Sequence, residues 1–129
     1  MEIWSRTDKR LIVDVSINGK PIPMLVDTGA TVGLVSKDLR GLLIDKVRPS
    51  IELQGAGGAT TAYRCNTLGT LAGKTLPQFL ATDIKGVVNS IKAETGIAIG
   101  GILSLPQLRY LGAKIDTFNS KIIIGDGNM

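Results

Sequence analysis

The chain has 129 residues, of which 43% are hydrophobic and 20% charged, so it can bury one core of ordinary size. It contains no histidine and a single cysteine, Cys65, which excludes Ser–His and Cys–His nucleophile pairs, histidine-ligated zinc sites and an intrachain disulfide. Any chemistry within the chain must therefore use carboxylates, hydroxyls, lysines or backbone groups. The net charge of +4 is spread over scattered lysines and arginines.

Apolar residues alternate with polar ones in short runs that turn residues separate, which is typical of a closed or sandwiched β domain. The 16 glycines favour many turns and short strands. The strands are expected at 10–17, 20–26, 31–35, 50–54, 60–65, 68–71, 75–82, 97–99, 113–116 and 121–124. Short helices are expected at 37–43, 83–95 and 104–111. Asn18 and Gly19 predict a tight hairpin between the first two strands, because both residues accept a positive φ.

No stretch approaches the about 18 uninterrupted apolar residues of a membrane span, and residues 1–10 contain no apolar run like that of a secretion signal. We therefore expect a single domain over 1–129 with no membrane partner. Its expected location is the cytoplasm, or the interior of a viral or polyprotein assembly.

The segment 24–30 is the clearest candidate for chemistry. Asp27 follows three apolar residues at the end of a strand that should be buried. Thr28 adds a short hydroxyl donor, and Gly29 lets the backbone turn sharply and present N–H groups near the carboxylate. The triplet Asp-Thr-Gly alone is a weak signal, for which a plain β-turn starting at aspartate is the alternative interpretation.

The run 25–30 resembles the active-site loop of retropepsin-like aspartic proteases, which carry two hydrophobic residues followed by Asp-Thr-Gly-Ala. A second pattern of that family, two hydrophobic residues and a glycine that lead into a helix, is matched by Ile99 and Gly100 ahead of 104–111. The family's last strand is similar to 111–116. The resemblance covers about residues 10–125, with order and spacing that agree.

The family also carries a glycine-tipped β-hairpin, the flap, between its two motifs, and residues 50–65 are similar to it. The tip would consist of Gly55, Ala56, Gly57 and Gly58. An ordinary glycine-rich hairpin is the alternative interpretation of these residues. In the family the flap closes over an extended peptide and pairs with its backbone.

The resemblance implies a mainly all-β, closed barrel-like acid protease fold with one or two short helices, active as a two-fold homodimer. It implies an aspartic endopeptidase with Asp27 as the catalytic residue and Thr28, Gly29 and Ala30 as the supporting loop. No metal and no organic cofactor is required. Because this chemistry needs two carboxylates that share one proton and the chain has one Asp-Thr-Gly, Asp27 is expected from each of two chains.

The sequence departs from the family's pattern in three places. Thr31 stands where many relatives have a charged residue or serine, and residues 101–103 lack the Asp, Asn or Arg common after the second motif. The stretch 83–95 is longer than its counterpart in the small retroviral enzymes. Asp116 is interpreted as a turn or strand-end residue rather than a second catalyst, and Trp4 either packs in a dimer interface or has a plain surface or core role.

Two other functions compete with the peptidase. One is a non-catalytic peptide-binding or dimerisation domain of the same fold. The other is a small basic β-barrel that binds nucleic acid, which the positive net charge favours. The scattered charge and the five aromatic residues, few for a base-stacking surface, argue against nucleic acid as a partner.

Overall fold

The computed structural model describes residues 1–39, 44–55, 58–65, 69–76 and 79–125. The strands within them are β1 (Glu2–Trp4), β2 (Ile12–Ile17), β3 (Lys20–Asp27), β4 (Leu34–Ser36), β5 (Ile44–Gly55), β6 (Gly58–Cys65), β7 (Gly69–Leu71), β8 (Lys74–Thr75), β9 (Leu80–Thr82), β10 (Gly101–Ser104), β11 (Ala113–Asp116) and β12 (Lys121–Ile124). The helices are α1 (Lys85–Thr95) and α2 (Leu105–Leu111). Neither helix is long and apolar enough to cross a membrane.

The strands form two sheets, so the mainly all-β prediction is confirmed. The larger sheet has nine strands in the order β5-β6-β9-β4-β10-β3-β2-β7-β8, and it curls into half a barrel. The smaller sheet has three strands in the order β1-β12-β11. The smaller sheet thus combines both ends of the described chain, because β1 pairs antiparallel with β12.

The centre of the large sheet has a crossed connection that positions the candidate site. β10 pairs parallel with β3 on one side and antiparallel with β4 on the other. β10 therefore lies between two strands that follow each other in the chain. The segment that joins β3 to β4 must consequently pass the end of β10, and this segment is the Asp-Thr-Gly loop.

Two apolar clusters hold these elements together. The larger one fills the space between the two sheets, with Val13, Met24, Leu103 and Ile122 all fully buried. In the second cluster Ile12 packs with Ile91 of α1 and with Ile99. Alternate residues of β2 point to opposite faces of the sheet, so β2 supplies both clusters.

Several sequence predictions of elements are confirmed. Asn18 and Gly19 have φ values of 53° and 76° and join β2 to β3 by the tight turn expected of them. The predicted strand pair around the glycine-rich tip corresponds to β5 and β6, and the helices of 83–95 and 104–111 correspond to α1 and α2. The pair of strands at 113–116 and 121–124 is β11 and β12.

Three predictions of elements are wrong. In place of the helix over 37–43, Lys37 and Asp38 form a turn in which the Ser36 hydroxyl accepts from the Asp38 N–H at 3.2 Å, and 40–43 lie outside the described residues. The single strand over 75–82 is two strands, because β8 pairs with β7 whereas β9 pairs with β4 and β6. The strand expected at 97–99 lies at 101–104.

Candidate active site

Asp27 is the last residue of β3 and lies in the middle of the large sheet. β3 is paired on both sides, with β2 and with β10. The Asp27 side chain is half-buried, whereas the next two residues, Thr28 and Gly29, are exposed. The strand therefore presents one carboxylate and an exposed loop where the central strands of the large sheet end.

Backbone hydrogen bonds fix the shape of this loop. The Gly29 N–H donates to Oδ1 of Asp27 at 2.9 Å, and the Ala30 N–H donates to the Asp27 carbonyl at 3.1 Å. The carbonyl of Ala30 accepts from the Leu105 N–H at 3.2 Å, which ties the loop to the start of α2. These bonds orient the carboxylate, since one oxygen is held by the chain's own backbone and the loop is anchored at both ends.

A buried polar cluster, formed by Ser104 and Gln107, lies next to the loop. Ser104 is the register partner of Asp27 in the β3–β10 pair, and it is fully buried. Its N–H and its hydroxyl donate to Oε1 of Gln107 at 2.9 and 3.1 Å, and the Gln107 N–H donates to the Ser104 hydroxyl at 3.4 Å. The Gln107 amide also packs on Gly33, where any Cβ would overlap it. The cluster links β10, α2 and the segment after Asp27.

Ile99 and Gly100, the second motif predicted from the sequence, lie directly before β10. Ile99 is a core residue that packs with Ile12 and Ile91. Gly100 bridges two strands, because its N–H donates to the Pro23 carbonyl at 2.8 Å and its carbonyl accepts from the Ser36 N–H at 2.9 Å. The strand that runs beside β3 and reaches Asp27 is β10, and its residue opposite Asp27 is Ser104.

β5 and β6 form an antiparallel hairpin that contains the residues predicted to form the flap. Gly55 pairs with Gly58, and Ala56 and Gly57 lie outside the described residues. β6 pairs with β9 only at residues 63 and 64. Residues 58–62 therefore have a strand partner only in β5, although the Thr82 hydroxyl of β9 donates to the Thr61 carbonyl at 2.9 Å. Towards the tip, residues 58–60 continue past β9 as part of a two-stranded ribbon.

Three other aspartates are engaged away from the Asp27 loop. Asp14 forms an ion pair with Arg6 at 2.8 Å, and Asp83 accepts from the backbone N–H of Lys85 at the start of α1. Asp116 accepts from the side-chain and backbone N–H groups of Asn119 at 2.8 and 3.1 Å, which holds the pKa of Asp116 below its ordinary value. Asp116 is thus a turn residue, as the sequence indicated.

Comparison with known proteins gives the family. Residues 13–100 match the family model described as "gag-polyprotein putative aspartyl protease". The match spans more than half of the chain and contains the Asp27 loop. The chain belongs to this aspartyl protease family. A comparison with curated protein sequences returned no match.

Solved structures of retroviral-type proteases have the same fold as this aspartyl protease chain. The EIAV protease, solved with the inhibitor HBY-793, is 22% identical with a TM-score of 0.62 over 88% of this chain and 99% of that chain. The retroviral protease-like domain of Ddi1 from Leishmania major is 23% identical with a TM-score of 0.63 over 92% of this chain and 90% of that one. At these identities the likeness shows the fold.

The sequence analysis did not identify two residues of the candidate site in this member of the aspartyl protease family, Ser104 and Gln107. A signal for them was present, because Ser-x-x-Gln ahead of an apolar helix is the pattern of a capping box. The structure has that box, with Ser104 as the N-cap of α2 and Gln107 three residues later. Gly100 matches the glycine expected at the end of the second motif, so the family's pattern favours Gly100 over Ser104.

Proposed function

We propose that this chain is an aspartic endopeptidase that works as a two-fold homodimer, with Asp27 of each protomer in a shared active site. The observation that carries the proposal is the position of Asp27. Asp27 stands at the end of the central strand β3. Hydrogen bonds of 2.9 to 3.2 Å, within the loop's backbone and to the first residue of α2, hold its loop in place. The chain belongs to the aspartyl protease family.

The need for a partner follows from the chemistry. Two carboxylates about one water apart can share one proton, because two like charges at that distance cannot both ionise. Among the aspartates of the described residues, Asp14, Asp83 and Asp116 are engaged elsewhere. An isologous interface places the same loop on both sides of the axis, so it brings two copies of Asp27 together.

In the proposed reaction, the ionised Asp27 removes a proton from the water between the two carboxylates. The resulting hydroxide attacks the carbonyl carbon of the peptide bond while the protonated Asp27 of the second protomer gives its proton to the carbonyl oxygen. As the C–N bond breaks, the Asp27 that took the water proton gives it to the leaving amine, and the Asp27 of the second protomer takes a proton back from one hydroxyl of the tetrahedral intermediate, which leaves the carboxylic acid product. The hydrolysis needs no group beyond the two carboxylates and water.

The substrate we propose is an extended peptide or an unfolded protein segment. The β5–β6 ribbon supports this, because its backbone extends past β9 and can add its hydrogen bonds to a peptide strand. Thr28 is exposed in the single protomer, where it is available to bond to the opposite loop. Closure of the ribbon and the bond of Thr28 are parts of the proposal.

The test is cleavage of a denatured protein by the purified full chain between pH 3 and 7, read by mass spectrometry of the fragments. We expect Asp27→Asn to lower the cleavage rate by at least about 10³-fold, because the amide can neither accept the water proton nor share one. The matched control is Asp38→Asn on the exposed turn after β4, which should cleave like the wild type.

A pepstatin-type inhibitor should block the wild type and the control alike. Retained cleavage by Asp27→Asn would contradict the assignment of Asp27 as the catalytic residue. If the wild type binds unfolded peptide but never cleaves it at any pH in this range, the chain is instead a non-catalytic peptide-binding domain of the same fold.

A further inference from the structure

An ion pair between Arg10 and Glu94 joins α1 to the segment that leads into β2. Nε and Nη2 of Arg10 donate to the two carboxylate oxygens of Glu94 at 2.8 and 3.0 Å, although the two residues lie 84 positions apart in the chain. These side-chain hydrogen bonds hold the pKa of Glu94 below its ordinary value and raise the pKa of Arg10. Both side chains are therefore charged in weakly acidic solution.

Backbone hydrogen bonds place Arg10 across from Asp27. The Leu11 carbonyl accepts from the Val26 N–H at 2.9 Å, so the pairing with β3 continues ahead of the first residue of β2. The Arg10 carbonyl faces the other way and accepts from the Ser5 hydroxyl at 2.8 Å. This alternation is that of an extended strand, and one further step of the register sets Arg10 opposite Asp27.

The side chains of Arg10 and Asp27 also lie on the same face of the sheet. Ile12 and Leu25 are register partners, and both pack in the second cluster, against α1. Alternate residues of a strand share a face, so Arg10 points to the same side as Ile12. Asp27 points to the same side as Leu25 for the same reason. The guanidinium group is thus a neighbour of the candidate catalytic carboxylate.

Arg10 keeps hydrogen-bond donors that its ion pair does not use. Its Nη1, with two N–H groups, has no acceptor in the part of the chain that the structure describes, and the side chain is 50% exposed. Lys9 adds a second cation, because its Nζ lies 3.4 Å from the Glu94 carbonyl oxygen. Two cations and one carboxylate attract an anion, and the planar N–H groups of a guanidinium fit a carboxylate.

We propose that the free N–H groups of Arg10 bind the carboxylate of a glutamate or aspartate side chain in the peptide substrate. This inference rests on the proposed function and narrows its substrates to extended peptides with an acidic residue near the bond that is cut. Each residue of an extended peptide advances about 3.3 Å, so we expect the acidic residue within about three residues of that bond. In a two-fold dimer, the second protomer's Arg10 supplies the same subsite on the other side of the bond.

Glu94 is the positioning residue of this subsite. A free arginine side chain loses rotamer freedom when it binds a ligand, and the two hydrogen bonds to Glu94 restrict Arg10 in advance. Helix α1 holds Glu94 in place, because Ile91, one turn earlier, is buried against Ile12. The proposal thus gives a role to the stretch 83–95.

The first test measures peptide binding by the full chain with Asp27→Asn, so that no bound peptide is cut. The probe is a library of synthetic peptides of about ten residues that carry glutamate or glutamine at one central position among random uncharged residues. The immobilised protein is incubated with the library at about pH 5.5, where glutamate is ionised. Mass spectrometry of the bound peptides gives the ratio of glutamate to glutamine at each position.

We expect glutamate to exceed glutamine about tenfold at one or more central positions, since a hydrogen bond between two charged groups contributes that much. Adding Arg10→Gln should bring the ratio close to one, because the positive charge is lost. Arg10→Lys keeps the charge without the planar group and should give a ratio between these two. A merely structural ion pair would change the binding of both kinds of peptide equally and leave their ratio unchanged.

Arg6 offers a matched control. It forms an ion pair of the same geometry with Asp14, with bonds of 2.8 and 3.0 Å, and its side chain is 43% exposed. Asp14 is the register partner of Pro23, four residues before Asp27 in β3, so this pair lies farther from the candidate site. Arg6→Gln removes the same charge and should keep the preference for glutamate. Circular dichroism and thermal unfolding confirm that each variant is folded.

The same library, given to the chain with Asp27 intact, separates the subsite from the function. The cut peptides should show the same excess of glutamate near the new ends. If bound and cut peptides favour neither residue, or if Arg6→Gln lowers the ratio as much as Arg10→Gln, the subsite is wrong, and a protein that still cleaves retains its proposed function. If bound peptides favour glutamate through Arg10 but none is cut, the subsite stands and the proposed activity is wrong.

Discussion

Gln107 has an unusual position for a polar side chain, because it is 2% exposed and sits beneath the Asp27 loop. Its Oε1 accepts from both the N–H and the hydroxyl of Ser104. A buried polar group of this kind is tolerated only when its hydrogen bonds are made. The hydrogen bonds between Ser104 and Gln107 therefore hold the end of β10 against the start of α2, next to Asp27.

Replacing Gln107 should lower the free energy of unfolding more than replacing Ser104. Gln107→Leu leaves both Ser104 donors buried without that acceptor, and we expect a loss of about 3 kcal/mol in the free energy of unfolding. Ser104→Ala removes only the hydroxyl of an N-cap and should cost about 1 kcal/mol. Urea unfolding at one fixed protomer concentration measures both, since dimerisation couples to stability. Equal losses in the free energy of unfolding would contradict the role of Gln107 as the buried acceptor for both Ser104 donors.

The candidate aspartate and its loop could be predicted at this scale, whereas the position of Ser104 could not. Asp27 follows from a local pattern, a carboxylate after an apolar run and before Thr28 and Gly29. The capping-box pattern marks Ser104 as the start of a helix, but it does not show which residue of β10 lies beside Asp27. That register is set by packing between strands far apart in the chain.

β10 and the residue before it fit closely against their neighbours. A Cβ on Gly101 would lie 2.5 Å from the Leu34 carbonyl oxygen of β4, and a Cβ on Gly100 would overlap the Ile22 side chain. A side-chain methyl group can move aside, whereas a carbonyl within a paired strand cannot move without disturbing the sheet. These glycines thus allow β10 to fit between its two neighbours.

We expect Gly101→Ala to destabilise the protein by about 3 kcal/mol and Gly100→Ala by about 1 kcal/mol, the upper and lower parts of the range for overpacking. The matched control is Gly86→Ala in α1, where a Cβ meets nothing within 4 Å. It should raise the free energy of unfolding by up to about 1 kcal/mol, because alanine favours a helix over glycine. Chemical denaturation of the three variants gives the order of their free energies of unfolding. A Gly101→Ala protein as stable as the control would contradict the close packing of β10 against β4.

Most elements could be predicted from their own residues, and the errors share one cause. Alternation marks β2, and Asn18 and Gly19 mark its turn, without reference to the rest of the chain. The segment 75–82 looks like one strand locally, but its two halves have different neighbours in the sheet. β1 was missed because its three residues become a strand by pairing with β12 at the other end of the chain.

At the scale of the whole molecule, one protomer has a filled core, and both ends of the described chain are paired within the small sheet. Thr28 and Gly29 nevertheless stay exposed in the loop. In the proposed function this exposed loop meets the same loop of a second copy. Each protomer then folds around its own core, while the proposed reaction requires two copies of Asp27.

This division gives a prediction for mixtures of active and inactive chains. When wild type and Asp27→Asn are refolded together in equal amounts, random pairing places two Asp27 residues in about one quarter of the dimers. Cleavage should fall to about one quarter of that of wild type at the same total concentration, whereas independent protomers would retain about one half. Refolding with Asp38→Asn instead controls for the mixing itself and should preserve full activity. A value near one half, from independent protomers, or near three quarters, from heterodimers as active as the wild type, would show that a single Asp27 suffices, and the shared active site would then be wrong.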